Sequence, residues 1–310
     1  MKGLWENVIE FFSSQPPLYS GFYLSSHAIQ GVHCSAKQKK VISTDTQPLS
    51  KGIIHPSLNE KNILKADALK EKFGKVLEKL NLTKKNTALI IPELTQKTFT
   101  FSFDSLPSSS KEREQIIRFR IKKKMPFLPD DARISYDSIS NKEKIRVVAI
   151  LTRTYIIRQY EEFFHQFGLN VRIVVPPSVG LMNVLSFESD EKFFLINIEK
   201  DSFSLNLFKN TELTVYRQKR FDIQGERSGL EQGKTEVVFQ EVNNTLNYMD
   251  EMKSDKRIKI WLRSSENSDK IFEYASQKQD FLLQRIGSFL DVGLDLPEAE
   301  QLSPILGVLL

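Results

Sequence analysis

The sequence predicts an α/β protein of two lobes, the first interrupted by a small inserted subdomain. Three observations carry that prediction. Each half of the chain opens on short strands and proceeds to helices, as duplicated α/β lobes do. Residues 93–166 read β-α-β-β-α, a compact insertion-sized unit. The 310 residues suffice to bury one large core or two moderate ones.

Residues 1–12 (MKGLWENVIEFF) set Leu4, Trp5, Val8, Ile9, Phe11 and Phe12 on an apolar arc of a short helix, which Pro16 and Pro17 stop. Such a helix docks on its own domain or lies in a lipid interface, which its Trp and Phe would suit. Residues 21–35 (GFYLSSHAIQGVHCS) read as strand, polar turn at Tyr23, Leu24, Ser25 and Ser26, and strand, with strands persisting through Ile42. Along 66–80, Leu69, Phe73, Val76, Leu77 and Leu80 recur at helical spacing. TALII (87–91) is a buried strand, and KTFTFSF (97–103) alternates as a half-exposed strand should.

Serines that can cap a helix open the segment 108–124, and Pro126 and Pro129 end it. Strands follow at 132–139 and 144–151, joined by a turn at Asn141, then a helix over 152–169 with Gly168 as its C-cap. The second half reads as strand and helix (171–185), a three-stranded meander (192–221), a helix (235–252), a strand (257–262) and a helix (268–278).

Composition narrows the function. Forty per cent hydrophobic and 27% charged residues are ordinary for a folded domain. No apolar run reaches the ~20 residues of a membrane span, and Glu6 and Glu10 break any secretory signal. The single Cys34 excludes an intramolecular disulfide and favours a reducing, cytosolic compartment. A net charge of +5 comes in scattered lysine clusters, which read as solvated faces or as attraction to an anionic membrane leaflet or an acidic protein. No nucleic-acid motif is present. His27, His33, His55 and His165 lack metal-ligand spacing, Cys34 has no activating partner, and GERSGLEQGK lacks the spacing of a P-loop.

In order and spacing the chain resembles the PilM family of type IV pilus assembly proteins, actin-like proteins related to FtsA and to the cytoplasmic part of GspL. The residues that carry the resemblance are Leu106-Pro107, Met125-Pro126-Phe127 and Ser135-Tyr136-Asp137 within 106–139, together with LKADALKEKF (64–73), EVNNTLNYMD (241–250) and SPILGVLL (303–310). It covers nearly the whole chain from Leu18. It implies an actin-like ATPase fold: an N-terminal helix (1–17), a first lobe (18–92 and 153–187), the inserted subdomain (93–152), and a second lobe (188–310). The small helical subdomain of the second lobe is shortened near 222–237, leaving residues 223–234 as a loop.

Working members of such a fold hold ATP between two phosphate hairpins and a late glycine pair. Here Tyr23 stands where the first hairpin's acid belongs, and Ser25 falls where glycine is expected. In the second hairpin Asn197 replaces the acid and Glu199 the glycine, placing a negative charge against any phosphate. Arg263-Ser264-Ser265 replaces the glycine pair. The expectation is a relic site: no cofactor, no metal, no catalysis.

The helix ending in Arg118, Arg120, Lys122, Lys123 and Lys124 is basic, where the family usually carries glutamates near the positions of Arg120 and Lys122. With Phe127 and the 97–103 strand, these are candidate partner-binding residues, although cations also suit a helix C-terminus. The resemblance thus implies a non-catalytic cytoplasmic scaffold at the inner face of the inner membrane. It would bind the cytoplasmic tail of a single-pass PilN-like protein, in the groove between the inserted subdomain and the first lobe. Other platform or motor proteins, the membrane surface and a second copy of the chain are further partners left open. An actin-like nucleotide switch with a diverged site, or a GspL-like secretion component, is the alternative.

Overall fold

The computed structural model describes residues 18–35, 40–140, 144–185, 192–209, 212–221, 230–249, 258–278 and 280–310. The expected N-terminal helix, the turn at Asn141 and residues 222–229 lie outside them.

The first lobe is built on β1 (Ser20–Leu24), β2 (Ala28–Ser35), β3 (Lys40–Pro48), β4 (Asn86–Ile90) and β8 (Asn170–Val175), in the order β3-β2-β1-β4-β8. The meander β1–β2–β3 is antiparallel, and β4 and β8 continue the sheet in parallel. β1 is central and wholly buried, and its side chains alternate between two cores. Phe22 and Leu24 meet Phe73 of α1 (Ala66–Leu80) and Phe164 of α3 (Thr154–His165) on one face. Tyr23 turns to the other, against Ile305 and Leu306 of α7 (Leu296–Leu309). Tyr23 and Leu24, expected in the turn, are therefore strand residues, and the turn is reduced to Ser25, Ser26 and His27.

The second lobe repeats the plan. β9 (Lys192–Ile198), β10 (Ser202–Lys209), β11 (Glu212–Arg220), β12 (Ile258–Ser264) and β13 (Phe281–Arg285) lie in the order β11-β10-β9-β12-β13. Again the first three are antiparallel and the last two parallel. Phe194, Ile196 and Ile198 face α5 (Leu230–Tyr248) and α6 (Ser268–Ser276), while Phe193 and Leu195 face Leu181 and Met182 of α4 (Pro177–Val184). α5 starts five residues before the expected Thr235, so residues 230–234 are helix rather than loop.

Between β4 and β8 the chain forms the expected β-α-β-β-α unit: β5 (Lys97–Phe103), α2 (Ser110–Lys124), β6 (Ala132–Ser140), β7 (Ile145–Arg153) and α3. Its sheet runs β5-β7-β6. Ile117 and Ile121 of α2 pack on Phe101, Phe103, Val147, Ala149 and Leu151, which fixes the helix to one face of that sheet. The Ser109 hydroxyl accepts from Glu112 N at 3.4 Å and caps α2. β5 leans on the second lobe, where Thr100 Oγ1 donates to Thr214 O at 3.4 Å.

Two helices cross where the lobes join. A Cβ on Gly180 of α4 would stand 2.0 Å from Pro304 O, and one on Gly307 of α7 only 1.9 Å from Gly180 O. Only glycine permits this backbone-to-backbone approach.

Candidate functional site

Two recesses follow from this architecture. The first lies between the lobes, where the β1–β2 and β9–β10 hairpins face each other. Tyr23 and Asn197 are the penultimate residues of corresponding strands. The parallel register of β12 on β9 sets Arg263 directly beside Asn197.

Arg263 decides the chemistry here. It has no exposed surface at all. Its guanidinium donates to Asn197 Oδ1 at 2.8 Å, to Glu199 Oε1, and to the carbonyls of Gln301 (2.8 Å) and Glu300 (3.4 Å) at the start of α7. Its Cζ lies 5.9 Å from the centroid of the Tyr23 ring, so the same group bridges the two lobes. Burial works against ionisation of Glu199, but the Arg263 guanidinium outweighs it, with help from His27 and Asn197, and holds the carboxyl below its ordinary range. Burial, reinforced by the Glu199 charge, pushes the Tyr23 phenol well up. His27 is pushed down by burial.

Of the three serines, Ser25 and Ser264 have their hydroxyls bonded to backbone, while the Ser265 hydroxyl is buried without a partner among the described residues. Ser25 Oγ accepts from Ala28 N at 3.0 Å and donates to Ala28 O at 3.0 Å, closing its own turn. Ser264 Oγ donates to Glu266 O at 2.7 Å, and Ser264 N to Glu300 Oε1 at 3.3 Å. Ser265 N is bonded to Ile198 O at 2.9 Å. Of the six expected positions, the structure brings Tyr23, Asn197 and Glu199 together around Arg263. It places Ser25 in the turn after β1, Ser264 at the end of β12 and Ser265 in the bend that follows. Arg263 itself, noted in the sequence only as a lost glycine, is the centre.

The second recess is a groove of about 630 Å³ between the inserted sheet and the first lobe. Val148 and Ile150 of β7 form one wall, and Ile157 of α3 with Ile173 and Val175 of β8 form the other. Exposed Arg133 on β6 and Arg172 on β8 supply charge, with Asp137 and Glu161 between them. Behind the lining residues Ser178 and Tyr216, buried Glu93 accepts from Ser178 N (2.8 Å) at the start of α4 and from the Tyr216 hydroxyl (2.6 Å) of β11. Burial raises the Glu93 carboxyl above the ordinary glutamate value, against the pull of those hydrogen bonds.

The candidate partner residues Arg118, Arg120, Lys122, Lys123 and Phe127 do not meet the groove. Along β7, Val147, Ala149 and Leu151 face α2 while Val148, Ile150 and Thr152 face the groove, so the sheet stands between the two. The 97–103 strand is an edge of the inserted sheet, with Thr100 near its middle bonded to Thr214 of β11. Period-two alternation carries the information, but which face is covered by α2 and which by the first lobe is a tertiary fact.

Two lobes of identical strand order around a cleft, with a subdomain inserted in the first, define the actin-like ATPase fold. Within that class the PilM–PilN type IV pilus biogenesis complex matches with a TM-score of 0.74, covering 95% of this chain and 97% of that one at 15% identity. A Bacteroides thetaiotaomicron protein with an actin-like ATPase fold and unknown function covers 93% and 96% at 10% identity, TM-score 0.51. The cytoplasmic domain of EpsL, an inner membrane component of the type II secretion system of Vibrio cholerae, covers 79% and 81% at 12% identity, TM-score 0.46. No family model matches the chain, and no curated protein matches it in sequence. At these identities the likeness establishes the fold, and the PilM resemblance of the sequence is matched by it. Among the described residues no helix is long and apolar enough to cross a membrane.

Proposed function

We propose that this chain is a nucleotide-independent adaptor of a type IV pilus or related secretion machine. Its groove takes the cytoplasmic N-terminal tail of a single-pass, PilN-like membrane protein, and it works at the inner face of the membrane that holds that protein. The observation that carries the reading is the contrast between a cleft filled by Arg263 and a groove left open. A triphosphate with its metal does not fit the cleft residues. Such a ligand needs acids for the cation and glycine backbone for the phosphates. Here a guanidinium with four acceptors of its own fills the space, and the Glu199 carboxylate faces where phosphate charge would come. Removing Arg263 would leave Glu199 buried beside an anion.

The groove suits an extended peptide: apolar walls to hold side chains, flanking charges of both signs to fix direction, and β6 as an edge strand beside it. Two of its lining residues, Ser178 of α4 and Tyr216 of the second lobe, are tied together by Glu93 behind them, which favours a preformed groove. Calorimetry separates the readings. Millimolar ATP with Mg²⁺ should give no heat of binding, while a synthetic copy of the candidate partner's tail should bind one to one. Stoichiometric ATP binding would return the chain to the nucleotide switches. Failure of every single-pass tail of the source organism would remove the adaptor role.

A further inference from the structure

The basic helix and the loop that follows it are left over by the groove, and their chemistry is coherent on its own. We propose that α2 and Phe127 form a docking surface for an anionic phospholipid bilayer. This assignment is independent of what the groove binds. In residues 118–130, five cations (Arg118, Arg120, Lys122, Lys123 and Lys124) stand against one carboxylate, Asp130. Arg118 is engaged locally, donating to Ala132 O at 3.2 Å with Glu114 at 4.0 Å. The other four have no carboxylate partner among the described residues. Three instead lie over aromatic rings: Arg120 at 5.1 Å from Phe103, Lys123 at 4.6 Å from Phe119, Lys124 at 5.0 Å from Phe101.

Helical geometry sorts these groups. Ile117 and Ile121 point into the subdomain core, which leaves Phe119, Lys122 and Lys123, three and four residues apart, on one outer face. Phe119 is 58% exposed, and Phe127, just past the helix end, is 93% exposed. The helix dipole accounts for cations in the last turn, but it gives no reason for two bare phenyl rings among them.

A bilayer accounts for both. Lysine and arginine stems lie along the surface with their charges at lipid phosphates, while the rings enter the headgroup and acyl boundary. A folded protein partner would have to supply a pocket complementary to a ring that nothing here supports. A headgroup layer needs no such match. The surface also lies on the far side of the inserted sheet from the groove, so lipid contact and peptide capture do not compete.

The test is co-sedimentation of the full chain with vesicles of phosphatidylethanolamine and phosphatidylglycerol, and with vesicles of phosphatidylcholine alone. Wild type should bind the anionic vesicles, release in high salt and ignore the neutral ones. K122Q/K123Q/K124Q should lower the partition coefficient about a hundredfold, at about fivefold per cation. Phe127→Ser should lower it several-fold and leave the salt dependence unchanged. Phe127→Trp should blue-shift its emission on anionic vesicles. All four positions are exposed, so melting temperatures should stay at the wild-type value and exclude unfolding as the cause. Wild type that ignores anionic vesicles overturns the proposal. So does a triple variant that binds as wild type does, which would move lipid contact to another segment such as residues 1–17. Capture of an acidic peptide by α2 without vesicle binding would make the face a protein interface and overturn it equally.

Discussion

The interlobe cleft and the groove beside the inserted sheet are both recesses framed by strand ends and helix starts, yet they are finished in opposite ways. In the cleft Asn197, Glu199 and two carbonyls of α7 converge on one buried guanidinium, and the hydroxyls of Ser25 and Ser264 are bonded back to nearby backbone. In the groove the walls are aliphatic, charges of both signs lie along it, and about 630 Å³ is left free. The difference teaches how one fold can close one recess with charges of its own chain and leave another open. In the cleft Arg263 carries the charge that balances Glu199, while the groove keeps open volume between apolar walls.

The largest expected effect comes from breaking the filled recess. Arg263→Ala leaves Glu199 buried without its counter-charge, and loss of one member of a buried pair costs about 3–5 kcal/mol. Urea denaturation should show that loss. The double variant R263M/E199Q removes both charges at similar volume and should recover most of it. If Arg263→Ala is instead as stable as wild type, the guanidinium is not what holds this side of the molecule together, and the comparison fails at its root.

A smaller effect is expected in the open recess, read in binding rather than stability. Ile150 lies on the groove wall and is only partly buried, so Ile150→Asp should fold. It should weaken capture of the partner tail about thirtyfold, the equivalent of a hot-spot contact of ~2 kcal/mol. Lys123→Asp, across the sheet, should leave tail affinity unchanged. Equal losses from both would mean that the tail wraps the subdomain and that the two faces are one site.

Much of this was legible in the sequence. The stripe over 66–80 became α1, the alternation of KTFTFSF became β5, and the serines before Lys111 became the cap of α2. α7 was not read as a helix: LPEAEQLSPILGVL is apolar on most sides because it is buried between the lobes, and Pro304 sits inside it. That leaves no stripe for a periodicity argument to find. Tyr23, Asn197 and Glu199 were visible in the sequence as residues unfavourable to a nucleotide, but their gathering around Arg263 was not. Arg263 and Glu199 are 64 residues apart, and only the parallel register of β12 on β9 makes them neighbours. Glu93 and Tyr216 carried no local signal, since each looks like an ordinary surface residue until the lobes close on it.

Glu93 bears on both recesses, and it gives the finest test of their separateness. It holds two lining residues of the groove, Ser178 and Tyr216, and its charge also bears on Tyr23 in the cleft. Burial raises its carboxyl above the ordinary glutamate value, so the folded state favours the protonated form. The stability this confers is fully present below the ordinary value and is lost as pH rises through the raised one. Glu93→Gln cannot ionise. Its amide oxygen still accepts from Ser178 N, and the Tyr216 hydroxyl must turn to accept from the amide nitrogen. Wild type should therefore lose stability relative to Glu93→Gln as pH rises across that window, read as a growing gap between their urea midpoints. Glu300, also raised by burial, is common to both proteins and cancels in the difference. The gap should persist in the R263M/E199Q background if the recesses are independent. If it vanishes there, Glu93 feels the cleft charges more than its groove partners, and the two recesses are electrostatically one.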